Sequence, residues 1–111
     1  MECIFCQIAK KEIPSEIVYE DERILTFKDI QPKAPIHLLI IPKKHIPSLD
    51  HLGKADRELI GELFLTAQRL ARKFKIDRTG YRLIFNVGRD AGQTVDHLHL
   101  HLIGGKKLLW A

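Results

Sequence analysis

The sequence predicts an α+β protein with a mostly antiparallel sheet of about five strands and one long helix on one face of that sheet. Two observations predict this fold class. One long segment, about 54–74, repeats its apolar residues with helical spacing. Short apolar segments of strand length stand both before and after it. The order of strands, helix and strands indicates that the sheet and the helix form separate layers.

The predicted long helix has one apolar face. Its apolar residues recur at spacings of three and four residues, which aligns them along one side of a helix. Polar residues such as Glu58, Glu62 and Arg69 fill much of the remainder. The apolar positions are Ile60, Leu63, Phe64, Ala67, Leu70, Ala71 and Phe74.

The other predicted elements are short and are bounded by turn residues. Residues 4–9 predict a short N-terminal helix that ends in a Lys-Lys-Glu-Ile-Pro turn. The predicted strands are 17–19, 24–27, 37–41, 81–87 and 95–103. The third strand is apolar and ends at Pro42, so we expect it to be buried.

The composition is typical of a globular domain and disfavours several classes of function. The chain has 111 residues, 45% hydrophobic and 29% charged, which fits a single domain over 1–111. No apolar run is long enough to span a bilayer and no signal peptide is visible, so we expect a cytoplasmic protein without membrane contact. The net charge of +4 is dispersed, so nucleic-acid binding is not expected, whereas an anionic small substrate is compatible.

Three histidines alternate with leucines near the end of the chain, in the segment DHLHLHLIGG. Strand side chains alternate between the two faces of a sheet, so His97, His99 and His101 are predicted to share one open face. The leucines between them would face the helix. Half of the six histidines of the chain fall in these five positions. Three imidazoles in such a row span about 13 Å, which is enough to surround one phosphate group.

Three kinds of role fit such a row of histidines. They could form the polar face of an edge strand, although lysine, glutamate and threonine are more usual there. They could bind zinc, because three histidines and a water make a hydrolytic metal centre. One of them could also act as a nucleophile on phosphorus, with its second ring nitrogen held as N–H by a carbonyl.

The nucleophile hypothesis requires donors that neutralise the phosphate oxygens. The segment directly before the histidines contains candidates: Asn86, the loop 88–92 that ends at Gly92, Gln93 and Thr94. Their amide and hydroxyl groups could all point at one phosphate.

Cys3 and Cys6 form a Cys-x-x-Cys pair and are the two cysteines of the chain. In a cytosolic protein such a pair indicates a metal or redox site rather than a structural disulfide. A thioredoxin-type pair would follow a strand, and no strand is predicted before these residues. Half of a zinc site is therefore the favoured interpretation, with two small packed side chains as the alternative.

Residues 97–103 match the motif of the histidine triad, or HIT, family at every position: His-φ-His-φ-His-φ-φ, where φ is apolar. Three blocks in order, 4–25, 27–46 and 86–105, extend the resemblance over nearly the whole chain. The sequence is most similar to the Hint branch, the nucleoside phosphoramidases, and Trp110 near the C-terminus also resembles that branch.

This resemblance implies a HIT-like fold that forms a two-fold homodimer with a continuous antiparallel sheet. It implies hydrolysis or transfer at the α-phosphate of a purine nucleotide, through a nucleotidyl-histidine intermediate and without a catalytic cofactor. By position, His99 would be the nucleophile, and His101 would contact the phosphate and assist the leaving group. His97 and His37 would support the histidine cluster.

The resemblance also implies a nucleotide-binding site. Asn86, Gly92, Gln93 and Thr94 would bind phosphate oxygens, and Asp29, an acceptor-only carboxylate, would bind the ribose hydroxyls. An apolar slot would hold the purine base, unless its members are ordinary core residues. These members are Phe5, Ile8, Ile13, Phe27, Ile30 and Leu39.

In zinc-bearing relatives of the family, two histidines complete the cysteine pair. By position these are His45 and His97, which with Cys3 and Cys6 would make a closed Cys2His2 site for a structural zinc. His97 would then hold metal while His99 performs the chemistry. The alternative is a loop histidine beside free cysteines.

Two further functions share the same residues. One is a purine-nucleotide-binding regulatory protein with weak activity, and the other is a dinucleoside polyphosphate hydrolase. Two positions could also alter substrate specificity. Asp96 stands where Hint relatives often have an aromatic residue, and Lys28 lies near the expected ribose position.

Overall fold

The computed structural model describes residues 3–110 and confirms the predicted α+β architecture. Two α-helices are described, α1 (Ile4–Ala9) and α2 (Arg57–Lys73). The strands are β1 (Ile17–Glu20), β2 (Ile24–Lys28), β3 (Ile36–Pro42), β4 (Tyr81–Ile84) and β5 (Leu100–Gly104). Every neighbouring pair is antiparallel, in the order β1-β2-β3-β5-β4. Within the described residues, no helix is long and apolar enough to cross a membrane.

The main core lies between α2 and one face of the sheet. Leu98, Leu100 and Leu102 pack there against α2, as the alternation of the triad segment predicts. Central strand β3 lies between β2 and β5 and is buried on both faces, which explains its continuous apolar sequence. Burial of these side chains is the main term that holds α2 to the sheet.

The apolar face of α2 differs from the predicted one at two positions. Phe64 is 42% exposed and packs its ring edge-on against Phe85, whereas Leu59, absent from the predicted set, is buried. The helix also begins later than predicted, because Lys54–Asp56 forms a 3-10 turn. Asp56 fixes this turn by accepting hydrogen bonds from the Gly53 N–H and the Lys44 ammonium.

The last two strands are shorter than predicted. Residues 95–97 form a bend, in which the His97 N–H bonds the Val95 carbonyl (2.9 Å) and the Leu98 N–H bonds Ile46 (2.6 Å). These backbone groups are therefore not available for pairing along the sheet, and β5 begins only at Leu100. On the neighbouring strand, pairing ends at Ile84, before the loop that starts at Gly88.

The second face of the sheet is only partly covered. Helix α1 lies over it and buries Phe5 and Ile8 against Phe27, Leu39 and other side chains of β2 and β3. A hydrophobic cluster on this face is thus separate from the main core. The remainder of the face opens as a cavity, which holds the candidate site.

Candidate functional site

A cavity of about 380 Å³ opens between α1, β2, β3 and the start of β5. Its polar lining includes Asp29, Thr94, His99 and His101, together with Ser15, Lys28 and Gln31. All of the residues predicted to form an apolar slot line it as well: Phe5, Ile8, Ile13, Phe27, Ile30 and Leu39. The cavity therefore combines one apolar wall with a cluster of imidazoles and a carboxylate.

Aromatic contacts connect the apolar wall to the histidines. The Phe5 ring stands edge-on to Phe27 (5.4 Å between centroids) and to His99 (5.1 Å). At the mouth, Ile30 is 92% exposed. An apolar side chain so exposed at the rim of a cavity is available to cover a ligand.

The sequence prediction missed several lining residues. Ile4 lies four positions before Ile8, and this helical spacing was a usable signal for a shared face. The others lie in turns whose approach to the cavity depends on tertiary contacts. These residues are Pro14, Ser15, Gln31 and Val95.

His99 is held in one tautomer by the backbone. Its Nδ1 donates a hydrogen bond to the carbonyl oxygen of His97 (2.7 Å), and the ring is buried. A carbonyl can only accept, so Nδ1 carries the proton and Nε2 keeps its lone pair. Burial lowers the pKa of His99, which favours this neutral form.

His101 receives its orientation from His37. The Lys33 N–H donates to Nδ1 of His37 (3.0 Å), so neutral His37 carries its proton on Nε2. That N–H faces Nδ1 of His101 at 2.9 Å, which leaves the His101 proton on Nε2. Burial, assisted by His99 and His37, lowers the pKa of His101 to about 4. Within residues 3–110, the buried Nε2 of His101 has no hydrogen-bond partner.

Asp29 lies beside this chain of imidazoles. One carboxylate oxygen accepts the Gln31 N–H (2.9 Å), and the other lies 3.3 Å from Nε2 of His37. The Asp29 N–H also bonds the His37 carbonyl (3.0 Å). The carboxylate is thus fixed at the cavity wall and still has lone pairs for a ligand.

The loop before the triad is organised by Gln93. Its side-chain oxygen accepts the Gly88 N–H, and its NH2 group donates to the carbonyls of Pro47 (2.7 Å) and Val95 (3.1 Å). Both amide hydrogens are therefore used within the protein, and donation to a phosphate would require one bond to break. Gly92 adopts a left-handed conformation (φ 84°) that suits glycine in this turn.

The predicted phosphate-binding residues are not equally close to the cavity. Thr94 lines it, whereas Asn86, Gly92 and Gln93 do not. Asn86 follows Ile84 by two residues, and Ile84 pairs with His101. Asn86 is therefore near the start of β5, although it does not line the cavity.

His97 faces a different cluster, which we call the tetrad: Cys3, Cys6, His45 and His97. Nδ1 of His97 lies 3.2 Å from Sγ of Cys3, 3.5 Å from Sγ of Cys6 and 3.2 Å from Nδ1 of His45. Sγ of Cys6 is 3.4 Å from Nδ1 of His45. The four ligand atoms all lie within 4.8 Å of one another.

The chemistry of the tetrad fits a thiophilic divalent metal. Nε2 of His97 lies 2.8 Å from the Pro42 carbonyl, so it carries the proton and Nδ1 directs a lone pair into the tetrad. A metal-binding histidine commonly donates its other N–H to a carbonyl in this way. Two thiols and two imidazole nitrogens in this arrangement match the donor set of a closed zinc site.

The predicted open row of three histidines is wrong for His97. Its side chain is wholly buried and contributes nothing to the cavity lining, while His99 and His101 do line the cavity. The reason is the bend at 95–97, which replaces strand geometry by a turn and directs His97 toward the cysteines. A phosphate in the cavity would therefore meet two triad imidazoles, and no cluster in the described chain brings all three together around a metal.

Comparison with known proteins identifies relatives of this chain in sequence and in structure. The HIT domain model matches residues 10–108. A HIT-like protein of Buchnera aphidicola subsp. Baizongia pistaciae is 47% identical over 105 residues, which cover 95% of this chain and 94% of that protein.

Solved structures extend the similarity to the fold. A HIT family hydrolase from Legionella pneumophila Philadelphia 1 matches with a TM-score of 0.97 and 49% identity, covering 98% of this chain and 97% of that chain. A histidine triad nucleotide-binding protein from Candida albicans matches with a TM-score of 0.85 and 35% identity, covering 99% and 83%. The sequence, the fold and the histidine cluster lead to one conclusion: this chain belongs to the HIT domain family.

Proposed function

We propose that this chain is a nucleotide hydrolase or transferase of the Hint branch. It cleaves purine nucleoside phosphoramidates or related adenylated compounds at the α-phosphate, through a nucleotidyl-histidine intermediate on His99. The observation that carries the proposal is the pair of fixed tautomers in the cavity. His99 presents a lone pair on Nε2, and His101 presents an unpartnered N–H on Nε2.

In the first step, Nε2 of His99 attacks the α-phosphorus while the bond from phosphorus to the leaving nitrogen breaks. The leaving nitrogen takes a proton from solvent before the bond breaks and departs as a neutral amine, so no strongly basic amide anion is released. The Nε2–H of His101 donates a hydrogen bond to the lone pair that forms on the departing nitrogen. The His97 carbonyl stabilises the positive charge that develops on the His99 ring through the Nδ1–H bond. The nucleotide is then covalently attached to His99.

In the second step, water attacks the same phosphorus and His99 departs as a neutral imidazole. The proton that the water loses returns to solvent, and His101 keeps its Nε2 proton as a hydrogen-bond donor. The contacts from the Lys33 N–H to His37 and from His37 to His101 keep the same tautomers throughout. The products are the nucleoside monophosphate and the free amine.

The cavity suits a purine nucleotide as substrate. The wall that includes Phe5 and Phe27 offers an apolar surface for the base, and Asp29 offers a carboxylate for the ribose hydroxyls. Thr94 lies on the phosphate side with His99 and His101. The Candida albicans relative is named as a nucleotide-binding protein, which supports the same ligand class.

Trapping the intermediate tests the proposal. Adenosine 5′-phosphoramidates that carry several different amines are mixed with the protein, the reaction is stopped in acid-free denaturant, and the adduct is located by mass spectrometry. We expect an adenylyl group on His99 and release of AMP. His51→Ala is the matched control, because His51 is an exposed histidine outside the cavity.

Two results would contradict this function. An adduct on a residue other than His99 would exclude the proposed nucleophile. Tight AMP binding without turnover of any amine would instead indicate a nucleotide-binding regulatory protein.

We also propose that the tetrad holds a structural zinc. The metal would replace the thiol protons and cross-link α1 to the loop at His45 and the bend at His97. No catalytic step is routed through the metal, because none of its four donors lines the cavity. Zinc content by atomic absorption, with Cys6→Ser as the depleted variant, tests this assignment.

Finally, we propose a homodimer formed through β4. This strand is at the edge of the sheet, and in the described sheet it pairs with β5 alone, so its outer N–H and C=O groups are available. Near this edge, exposed Phe64 packs against half-buried Phe85. Sedimentation should give a dimer that Phe64→Glu weakens and Lys10→Glu does not, and a monomer at micromolar concentration would contradict it.

A further inference from the structure

We infer that the tetrad is a positioning device for His99, and that Cys3, Cys6 and His45 act on the nucleophile through His97 and Phe5. This inference rests on the proposed role of His99. It assigns a second consequence to the zinc-binding residues beyond stability: metal occupancy sets how well the nucleophile is aimed.

The first connection runs through His97. Its Nδ1 is directed into the tetrad, its Nε2 is bound to the Pro42 carbonyl, and its own carbonyl oxygen accepts the Nδ1 proton of His99. His97 is wholly buried, so its ring has little freedom. One residue therefore joins the metal donors directly to the bond that fixes the tautomer and orientation of the nucleophile.

The second connection runs through α1. Cys3, the N-cap residue of this six-residue helix, and Cys6 in its first turn stand on either side of Phe5 in the sequence. The Phe5 ring contacts both His97 (5.9 Å) and His99 (5.1 Å) edge-on. The ring also forms part of the cavity wall. Displacement of the cysteines would thus move a wall of the site together with a packing partner of His99.

Helix α1 needs such an anchor. An isolated helix of this length is unstable in water, so its position depends on tertiary contacts. On the sheet side, Phe5 and Ile8 supply apolar burial. At its N-terminal end, the cysteines reach His45 and His97, from two separate segments of the chain. A bound metal would make this contact directional and strong.

The exposure of the donors makes this device accessible. His45 is exposed and the two cysteines are half-buried, whereas His97 is inaccessible. A chelator or a competing thiophilic metal can therefore reach the tetrad without passing through the nucleotide cavity. The effect on His99 would be transmitted through the structure rather than by contact with substrate.

The test compares three variants at exposed histidines. His45→Ala removes one donor, His45→Cys restores a soft donor, and His51→Ala is a control outside the tetrad. We expect His45→Ala to lower kcat/KM for an adenosine phosphoramidate about 10- to 100-fold, as loss of an orienting partner does. His45→Cys should stay within about threefold of the wild type, because thiolate also ligates zinc. Removal of zinc from the wild type by a chelator should reproduce the loss.

Two measurements that need no substrate distinguish a metal that only stabilises the fold from a metal that also positions His99. These are hydrogen exchange at the Phe5 and Ile8 amides and the ¹⁵N signal of Nδ1 of His99. We expect zinc removal to accelerate the exchange and to shift the His99 signal in the wild type, with no further change in His45→Ala. Both measurements stay informative even if the chain hydrolyses no phosphoramidate.

Three results would overturn the inference. The first is a wild type that takes up no zinc. The second is an unchanged His99 signal on zinc removal, with only the melting temperature lowered. The third is full kcat/KM in both His45→Ala and the zinc-depleted wild type. If His45→Ala fails to fold, the depleted wild type decides alone.

Discussion

The cavity and the tetrad both take histidines from the triad segment, yet these histidines have opposite surroundings. In the cavity, each ring nitrogen of His37 and the Nδ1 atoms of His99 and His101 contact a hydrogen-bond donor or acceptor of fixed polarity. In the tetrad, the Nδ1 atoms of His45 and His97 face each other and the cysteine sulfurs. The first arrangement holds protons in defined positions, and the second concentrates lone pairs.

This difference teaches that the partner atoms, rather than the histidines themselves, decide the chemistry. His97 and His99 are two residues apart, but one meets thiols and the other meets a carbonyl and an open cavity. A variant in the cavity should therefore remove activity while preserving stability. A variant in the tetrad should change both.

The largest effect is expected from His99→Ala. Loss of the nucleophile should lower kcat/KM for an adenosine phosphoramidate on the order of 10⁴-fold or more, as removal of a covalent catalyst does in other hydrolases. The melting temperature should fall only modestly, because the buried His99 ring borders the cavity rather than the main core. Steady-state kinetics and thermal melting measure the two quantities. If His99→Ala retained a tenth of the wild-type kcat/KM, the cavity histidines would not differ from the tetrad histidines in their role.

His101→Ala should give the next largest effect, and its size should depend on the leaving group. Loss of the hydrogen-bond donor should cost about 10²- to 10³-fold with an alkylamine leaving group. A leaving group of low pKa, such as a nitrophenolate, needs no proton and should lose far less. Comparing kcat for the two substrates measures the difference. An equal loss for both would mean that His101 positions the phosphate rather than stabilising the departing amine.

A smaller effect concerns the dependence of stability on pH. Burial lowers the pKa of His37 and lowers that of His101 to about 4, from an ordinary value of 6.5. The unfolded chain then binds more protons than the folded one between about pH 4 and 6.5, so the free energy of unfolding should fall as pH decreases through this range. The slope is at most about 1.4 kcal/mol per pH unit for each such histidine.

Urea denaturation between pH 4 and 8 measures this dependence, and His101→Gln should make the slope shallower. The carboxylates of Asp21 and Asp56 change the free energy of unfolding only at lower pH. Their pKa values are lowered from 3.8, by hydrogen bonds that include those from Tyr19 and Gly53, so their contribution is lost only below that pH. An unchanged slope in His101→Gln would contradict the neutral, buried state of this histidine.

The smallest effect is expected at the rim of the cavity. Ile30→Ser removes an apolar side chain that is 92% exposed in the free protein, so stability should not change. The loss of contact with the base should weaken AMP binding about two- to fivefold, which is about 0.4 to 1 kcal/mol. Calorimetric titration with AMP checks this value, and an unaltered affinity would place the base elsewhere in the cavity.

Several features of the fold and the site could be predicted because they depend on local sequence. The spacing of apolar residues identified α2, and the alternation of leucine and histidine identified which side chains of 98–102 face the main core. Predictions failed where distant segments intervene. The bond from the Leu98 N–H to Ile46 shortens β5, and contact with Phe85 accounts for the position of Phe64.

By itself, the sequence determined the fold class, the family resemblance and the candidate catalytic and metal-binding residues, since these follow from periodicity and motif. Only the tertiary structure decided how the histidines divide. The bend at 95–97 takes His97 to the cysteines, and the pairing of β3 with β5 brings His37 against His101. A ring nitrogen becomes a base, an acid or a ligand through the atoms that face it, and those atoms come from segments far apart in the chain.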